Sequence, residues 1–264
     1  MTGTVRLHVD GAIARLMLSN PGRRNAASWP MMTALGELVD DLRERDDVAV
    51  VVLTGEGTDF CVGADLAAVP EQRTLRRATV AEDTERLRIV TAAVTAFHRL
   101  PQATIAAIDG GCAGAGLSLA LAADLRIVSE RAVLNTAFVS AGLSGDCGSA
   151  WHLTQVVGPA RARRLLLDPA KVDAATALDL GLATSVVPAA ELAEEATAWA
   201  RRIAAHAPLA LRAAKQNLLA AAAHDLDDYL PGEIDRMVAT FHSADAREAA
   251  AAFLAHRAPV FTGR

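Results

Sequence analysis

The chain of 264 residues lacks an excess of basic charge, since 26 Lys and Arg stand against 31 Asp and Glu, which gives a net charge of −5. Nucleic-acid-binding proteins usually carry a basic excess, so no nucleic-acid partner is expected. The sequence also lacks an apolar run of membrane-spanning length, because residues such as Asp124 and Arg126 interrupt the long apolar stretches, and no membrane span is predicted. A hydrophobic content of 52% nevertheless suffices for a sizeable core.

Cysteine is scarce, and the three that are present, Cys61, Cys112 and Cys147, have no spacing typical of a zinc site or a redox pair. This usage favours a reducing compartment. The first six residues show no basic region followed by an apolar stretch, so we predict no signal peptide and a cytoplasmic location. No internal repeat is apparent.

What is present is an alternation of strand and helix patterns. Alternating apolar residues on both sides of Asp10–Gly11 predict a β-hairpin, and Ser28 can cap an amphipathic helix. A helix marked by Leu87, Val90, Val94 and Phe97 ends before Pro101. Buried strands are predicted at residues 48–53, 104–108 and 125–128, and a last strand at residues 184–187. An Asp173-capped helix ends at Gly181.

The helical pattern from Ala189 onward predicts a second region, interrupted at Pro208 and Pro231. The organisation is therefore an α/β part over residues 1–188 and a helical part over 189–264. Residues 67–86 are charged and short of large apolar residues, which is typical of a mobile helix or lid.

Two glycine-rich turns follow buried strands, at Phe60–Leu66 and Asp109–Gly116. Small residues that lead into a helix leave backbone N–H groups free at its positive end, which suits a developing oxyanion. Close packing of a helix on a sheet also requires small residues, so both interpretations stay open from the residues alone. A dinucleotide site is disfavoured, because no acidic residue stands in the expected ribose-binding context.

The order and spacing of several segments resemble the signature of the crotonase (enoyl-CoA hydratase/isomerase) superfamily. These segments are residues 20–26, 50–55, 60–66, 105–110, 114–116, 122–126, 251–254 and 257–264. The resemblance implies a crotonase-like ββα spiral core and a C-terminal all-helical oligomerisation region, assembled as a homotrimer or a dimer of trimers. It also implies an acyl-CoA or enoyl-CoA thioester as partner, with coenzyme A as part of the substrate and no separate cofactor or metal.

The resemblance places the two backbone N–H groups that polarise the thioester carbonyl at Ala64 and Ala115. The residues that it implies around the CoA nucleotide are Arg24, Ala26, Ala64, Asp65 and Leu66. From the residues alone, Arg24 could equally be a solvated loop charge and Asp65 a helix cap.

The two glutamates that family hydratases use for water addition have no counterpart here. Their positions correspond to Ser118 and Phe138. A phenyl ring cannot transfer a proton, and a serine hydroxyl titrates far too high to replace a carboxyl group. The sequence therefore predicts that hydration is lost.

Asp146 is the carboxylate that remains near Phe138 in the sequence. Its position resembles that of the aspartate in isomerase branches of the family. We predict that Asp146 shifts a double bond through an enolate, with a pKa that Phe138 and Trp151, as substrate-lining residues, raise by desolvation. Asp146 could instead cap the helix that starts near Gly148. The sequence also leaves open a thioester hydrolase or dehalogenase, for which His98 cannot be aligned securely, and a non-catalytic acyl-CoA-binding protein.

Overall fold

The structure is a computed structural model that describes residues 3–65 and 79–264. Its sheet begins with an antiparallel hairpin of strands β1 (Thr4–Asp10) and β2 (Ile13–Ser19). Gly11 has a positive φ of 55° in the two-residue turn, which glycine adopts without steric penalty. Side chains of β2 alternate between buried and partly buried positions, so the predicted hairpin is confirmed.

Parallel strands extend this sheet beyond the hairpin. They are β3 (Val50–Gly55), β4 (Ala103–Ile108), β6 (Leu125–Ser129) and β9 (Ser185–Val187), in the order β1-β2-β3-β4-β6-β9. The short strands β5 (Gly111–Ala113), β7 (Val133–Asn135) and β8 (Val172–Asp173) form a second sheet. The three predicted buried strands and the last strand are confirmed, with ends that differ by one or two residues, and β9 is only partly buried.

Helices connect the parallel strands and then form the C-terminal region. The first group is α1 (Trp29–Arg43), α2 (Val80–His98), α3 (Ala115–Leu121), α4 (Ser149–Leu167, with a break at Gly158) and α5 (Ala174–Leu180). The second group is α6 (Leu192–Ala204), α7 (Pro208–Ala221), α8 (Leu226–Phe241) and α9 (Ala244–Leu254). None of the helices in residues 3–65 and 79–264 is both long and apolar enough to cross a membrane.

The two faces of the main sheet are covered by different helices. On one face, α1 and α2 contribute large buried side chains such as Leu35 and Phe97, both fully buried. On the other face, α6 packs Leu192, Ala196 and Ala200 against side chains of β3, β4 and β6. Because α6 completes the core, the helical region is not set apart from the α/β part at residue 189.

The predicted interruption at Pro231 is wrong, since Pro231 lies inside α8. A proline removes the hydrogen bond from its own nitrogen to the carbonyl four residues earlier. Here that carbonyl belongs to Asp227 in the exposed first turn, where water can satisfy it. Pro208, by contrast, begins α7, a position where its fixed φ is favourable.

Helix α7 is tied to the sheet by Lys215, which is only 5% exposed. Its Nζ lies 2.8 Å from Asp124 Oδ2 and donates to the carbonyl of Gln102 at 2.8 Å. Asp124 also accepts hydrogen bonds from the backbone N–H and the hydroxyl of Thr104. Burial lowers the pKa of Lys215, and the charge of Asp124 acts against that change. The ammonium group is therefore held by partners from β4 and the start of β6.

Replacing Lys215 by Met should lower the free energy of unfolding by about 3 kcal/mol, because the change leaves the carboxylate of Asp124 without its buried counterion. Urea unfolding at pH 7 measures the loss. Lys171 is exposed, so Lys171→Met is the matched control and should be nearly neutral. Equal losses for the two variants would contradict a role for this ion pair in docking α7.

Candidate active site

The two glycine turns leave neighbouring parallel strands, β3 and β4, at the same edge of the sheet, and they are hydrogen-bonded to each other. Phe60 N–H donates to Asp109 O at 2.8 Å, and Ala113 N–H donates to Cys61 O at 3.0 Å. The two turns lie so close together that a side chain would not fit between them. A Cβ atom on Gly116 would lie 2.2 Å from the carbonyl oxygen of Cys61. The glycines therefore let the start of α3 contact the first turn directly.

Backbone N–H groups of Ala64 and Ala115 flank this contact. Ala27 forms hydrogen bonds with both neighbours of Ala64, accepting from Asp65 N–H at 3.0 Å and donating to Gly63 O at 2.7 Å. In such a parallel bridge the N–H of Ala64 itself points away from Ala27. Ala115 is the first residue of α3, so its N–H has no partner within the helix. The geometry thus supplies two backbone donors at facing turns, as an oxyanion site requires.

Ser118 and Phe138, at the two hydratase glutamate positions, lie against the second glycine turn. The Ser118 hydroxyl donates to Gly114 O at 3.2 Å and to Asp146 O at 3.4 Å. Phe138 is 7% exposed, and its ring lies 3.9 Å from where a Cβ atom of Gly114 would stand. Both side chains therefore lie beside the candidate oxyanion donors, and neither can transfer a proton at neutral pH.

Asp146 brings a carboxyl group to the same place. Its Oδ1 atom is buried and has no hydrogen-bond partner within residues 3–65 and 79–264. Burial raises the pKa of Asp146 because it disfavours the charged form, and the adjacent Cys147 thiol acts against that rise. The helix-cap alternative is not supported: Gly148 is the N-cap of α4, and Asp146 contributes only its backbone carbonyl, which accepts from Ser149 N–H.

Arg24 lies at the outer edge of the site in a bidentate ion pair with Asp59. Arg24 Nη2 donates to Asp59 Oδ1 at 2.8 Å, and Arg24 Nε donates to Asp59 Oδ2 at 2.9 Å. Asp59 also accepts from Gly111 N–H at 2.7 Å, which joins the pair to the second glycine turn. Arg24 lowers the pKa of Asp59 by hydrogen bonding. The Arg24 side chain is 65% exposed, so it is a fixed charge at the surface, and its contact with phosphate stays a prediction. The sequence analysis does not predict Asp59 as a site residue, although this acid stands directly before the first glycine turn.

The other residues expected near the nucleotide form a compact loop. Asn20 Nδ2 donates to Ala26 O at 2.7 Å and to Asp65 Oδ2 at 3.2 Å. Ala26 is 6% exposed. Leu66 lies outside the described residues. Asn20 therefore ties the backbone near Arg24 to the residue that follows the Ala64 donor.

Comparison with known proteins decides the family. The sequence model of the enoyl-CoA hydratase/isomerase family matches residues 8–264. This chain belongs to that family. It is 35% identical over 257 residues to the 1,2-epoxyphenylacetyl-CoA isomerase of Escherichia coli K12, with 97% of each chain covered. Members of the family act on CoA thioesters.

Solved structures of other family members have the same fold. An enoyl-CoA hydratase from Polaromonas sp. JS666 is 31% identical, with a TM-score of 0.91 and coverage of 98% of this chain and 100% of that one. An enoyl-CoA hydratase from Bacillus anthracis is 28% identical, with a TM-score of 0.92 and coverage of 99% and 100%. The predicted crotonase-like core with C-terminal helices is therefore confirmed.

The Trp151 ring packs edge-on against His98 and His152, with centroids 5.3 and 5.1 Å apart. His98 in turn lies 3.3 Å from Ala122 O, at the opposite end of α3 from Ala115. Burial lowers the pKa of His152 to about 4, so this ring is neutral at physiological pH. The expected role of Trp151 in lining the substrate pocket stays a prediction.

The segment expected to be a lid is only partly described. Residues 67–78 lie outside the described residues, while the rest of the segment begins α2. Thr79 and Glu82 form a reciprocal capping box there, in which Glu82 accepts from Thr79 N–H at 2.8 Å. The carboxylate of Glu82 therefore stabilises a helix start.

Replacing Gly116 by Ala should push α3 away from the first turn and separate the two backbone donors. We expect a loss of about 2–3 kcal/mol in unfolding free energy and roughly tenfold weaker binding of an acyl-CoA, measured by urea unfolding and calorimetry. The control is Gly36→Ala in α1, where the new methyl would meet Ala93 Cβ at an ordinary 3.5 Å. That variant should be stabilised by ~0.5–1 kcal/mol. Unchanged acyl-CoA affinity in Gly116→Ala would contradict the backbone site.

Proposed function

We propose that this family member isomerises a double bond in an enoyl-CoA thioester by proton transfer, with Asp146 as the base. The observation that carries the proposal is the buried Oδ1 of Asp146 beside the facing glycine turns, which has no hydrogen-bond partner in the part of the chain that the structure describes. A carboxyl group whose pKa is raised by burial is suited to take a proton from carbon and to give it back near neutral pH.

In the proposed reaction, the thioester carbonyl accepts hydrogen bonds from the N–H groups of Ala64 and Ala115, which stabilise negative charge on its oxygen. Asp146 removes a proton from the saturated carbon next to the double bond, the α- or γ-carbon of the acyl group, and forms a dienolate. The same carboxyl group then returns the proton to another carbon, so the double bond moves while the atoms of the substrate are conserved. Phe138 keeps the neighbouring volume apolar.

Hydration is the second candidate, because the related structures from Polaromonas and Bacillus anthracis are named enoyl-CoA hydratases. Water addition in the family uses two acids, at the positions of Ser118 and Phe138. Each general acid or base contributes typically ~10²- to 10⁴-fold in rate, so their loss argues against this candidate. Rapid hydration of crotonyl-CoA would favour it.

Asp146→Asn should reduce isomerisation by on the order of 100-fold while leaving acyl-CoA affinity nearly unchanged, because the amide keeps the shape and loses the base. Activity of the unsubstituted enzyme should fall as the pH drops through the raised pKa of Asp146. Double-bond migration and solvent deuterium exchange on a panel of enoyl-CoA and phenylacetyl-type CoA thioesters measure both effects.

Stability separates this role from a structural one. A raised pKa means that the folded state binds the proton more tightly than the unfolded state, so this carboxyl group destabilises the fold as the pH rises through that pKa. At neutral pH, Asp146→Asn should therefore be at least as stable as the unsubstituted protein. Asp173→Asn is the control, since Asp173 caps α5 by accepting from Thr176 N–H at 2.8 Å. Full activity of Asp146→Asn on a confirmed substrate would contradict Asp146 as the base. If no substrate is found, equal acyl-CoA binding by the unsubstituted protein and by Asp146→Asn would favour the alternative of a non-catalytic acyl-CoA-binding protein.

The C-terminal helices favour assembly as a homotrimer or a dimer of trimers. Six of their large apolar side chains are between 62% and 79% exposed: Leu218, Leu226, Met237, Phe241, Phe253 and Leu254. Exposed apolar groups of this extent mark interaction surfaces. Sedimentation at micromolar concentration should give three or six chains per particle, and Phe241→Glu should shift the distribution towards smaller species. A monomeric protein would contradict the assembly.

A further inference from the structure

A cavity of about 150 Å³ lies at the opposite end of α3 from the candidate oxyanion donor Ala115. Its wall is made by α2, α4, α7 and the start of β6, which come from distant parts of the sequence. The described residues of the wall that can donate a hydrogen bond from a side chain are His98, Arg126, Trp151, His152, Gln155 and Lys215. No step of the proposed reaction uses them, so this group of donors requires its own explanation.

The wall carries more positive than negative charge. Arg126 and Lys215 are both cationic and buried. Asp124 is the acid among the described residues of the wall, and its Oδ2 atom already pairs with Lys215 Nζ at 2.8 Å. Arg126 forms no ion pair in the part of the chain that the structure describes. Because a buried charge is costly without a counterion, Arg126 favours a negatively charged ligand in the cavity.

The guanidinium group of Arg126 is held in place but only partly used. Its Nε donates to Leu182 O and its Nη1 donates to Ala123 O, both at 2.7 Å. Nη2 has no hydrogen bond to any residue within 3–65 and 79–264. Burial lowers the pKa of Arg126 to about 10, which leaves the group charged at physiological pH. Arg126 therefore offers a free donor and a full positive charge from a position that two carbonyl groups fix.

Aromatic rings in the same wall supply further donors. His152 is 6% exposed, and neither of its ring nitrogens has a hydrogen bond with the described residues. A neutral imidazole carries one N–H group, which makes His152 a buried donor without an acceptor. The indole N–H of Trp151, whose ring lies 5.1 Å from that of His152, is also unpaired among these residues. Buried polar groups are normally paired, so such donors indicate a bound acceptor.

Free carbonyl groups at the C-terminal end of α3 would repel an anion, but two of them are already paired. His98 Nδ1 lies 3.3 Å from Ala122 O, and Ala123 O accepts the hydrogen bond from Arg126 Nη1. The negative end of the helix is thus covered by side chains of α2 and β6. This leaves the positive charge of Arg126 available to a ligand.

We propose that the cavity is a binding site for a small oxyanion such as sulfate or inorganic phosphate. Arg126 Nη2 and the N–H group of His152 donate to the oxyanion, and Lys215 adds positive charge. Water could accept from the same donors, but it would leave the charge of Arg126 without a counterion. The bound oxyanion joins α2, α4 and α7, and its binding does not depend on the role of Asp146.

Titration of the complete protein with sodium sulfate tests the site, with the ionic strength held constant by sodium chloride. Sulfate stabilises folded proteins in general, so the signal must be local, and the fluorescence of the partly exposed Trp151 provides it. We expect a saturable change with half-saturation on the order of 1 mM, which Trp151→Phe abolishes. A response that does not saturate would overturn the proposal.

His152→Phe keeps an aromatic ring and removes the N–H donor. Half-saturation should then require about tenfold more sulfate, because a hydrogen bond to a charged group contributes on this scale. His206 is exposed and lies outside the cavity wall, so His206→Phe is the matched control and should leave the titration unchanged. Equal sulfate affinities of the unsubstituted protein and His152→Phe would contradict the site.

Two arginine variants complete the test. Arg126→Lys keeps the charge and removes Nη2, so it should also weaken sulfate binding about tenfold. If either His152→Phe or Arg126→Lys fails to fold, as judged by circular dichroism, the other variant decides. Arg24→Gln, at the candidate nucleotide site, should leave the titration unchanged. Loss of the fluorescence change in Arg24→Gln would place the sulfate at that site and overturn the proposal.

Discussion

The candidate site depends on how closely two stretches of backbone can approach. The two glycine turns are joined by hydrogen bonds from Phe60 N–H to Asp109 O and from Ala113 N–H to Cys61 O, and a methyl group on Gly116 would collide with the carbonyl oxygen of Cys61. Parallel pairing of β3 with β4 delivers both turns to one edge of the sheet. With this contact in place, Ala64 and Ala115 stand in the two facing turns.

Among the described residues around this frame, few side chains ionise. Ser118 and Phe138 fill the positions where paired acids would stand, which leaves the surroundings of Asp146 weakly polar. Desolvation then acts on a carboxyl group with few hydrogen bonds to oppose it, and its pKa rises. The presence of Ser118 and Phe138 thus removes the acids for water addition. It also leaves Asp146 in the weakly polar surroundings that the proposed proton transfer requires.

Local patterns in the sequence predict the hairpin, the strands, the start of α1 after Ser28 and the cap of α5, because each depends on neighbouring residues. The hydroxyl of Ser28 nevertheless forms no cap hydrogen bond. Features set by tertiary contacts, such as the packing of Trp151 against His98, are not predicted. Pro231 is tolerated because the carbonyl it leaves unpaired is exposed. The ion pair of Arg24 with Asp59 joins residues 35 positions apart, which no local pattern predicts.

The burial of Lys215 has a consequence for the order in which the chain is assembled during synthesis. Its carbonyl partner, Gln102, is made 113 residues earlier, and Asp124 also precedes it. In a nascent chain that ends before α7, the carboxylate of Asp124 is therefore still hydrated. Docking of α7 must remove that water. Closing so long a loop is slow compared with local helix formation. The last helices are thus expected to dock late, and the apolar surface that they cover is open to chaperones until they do.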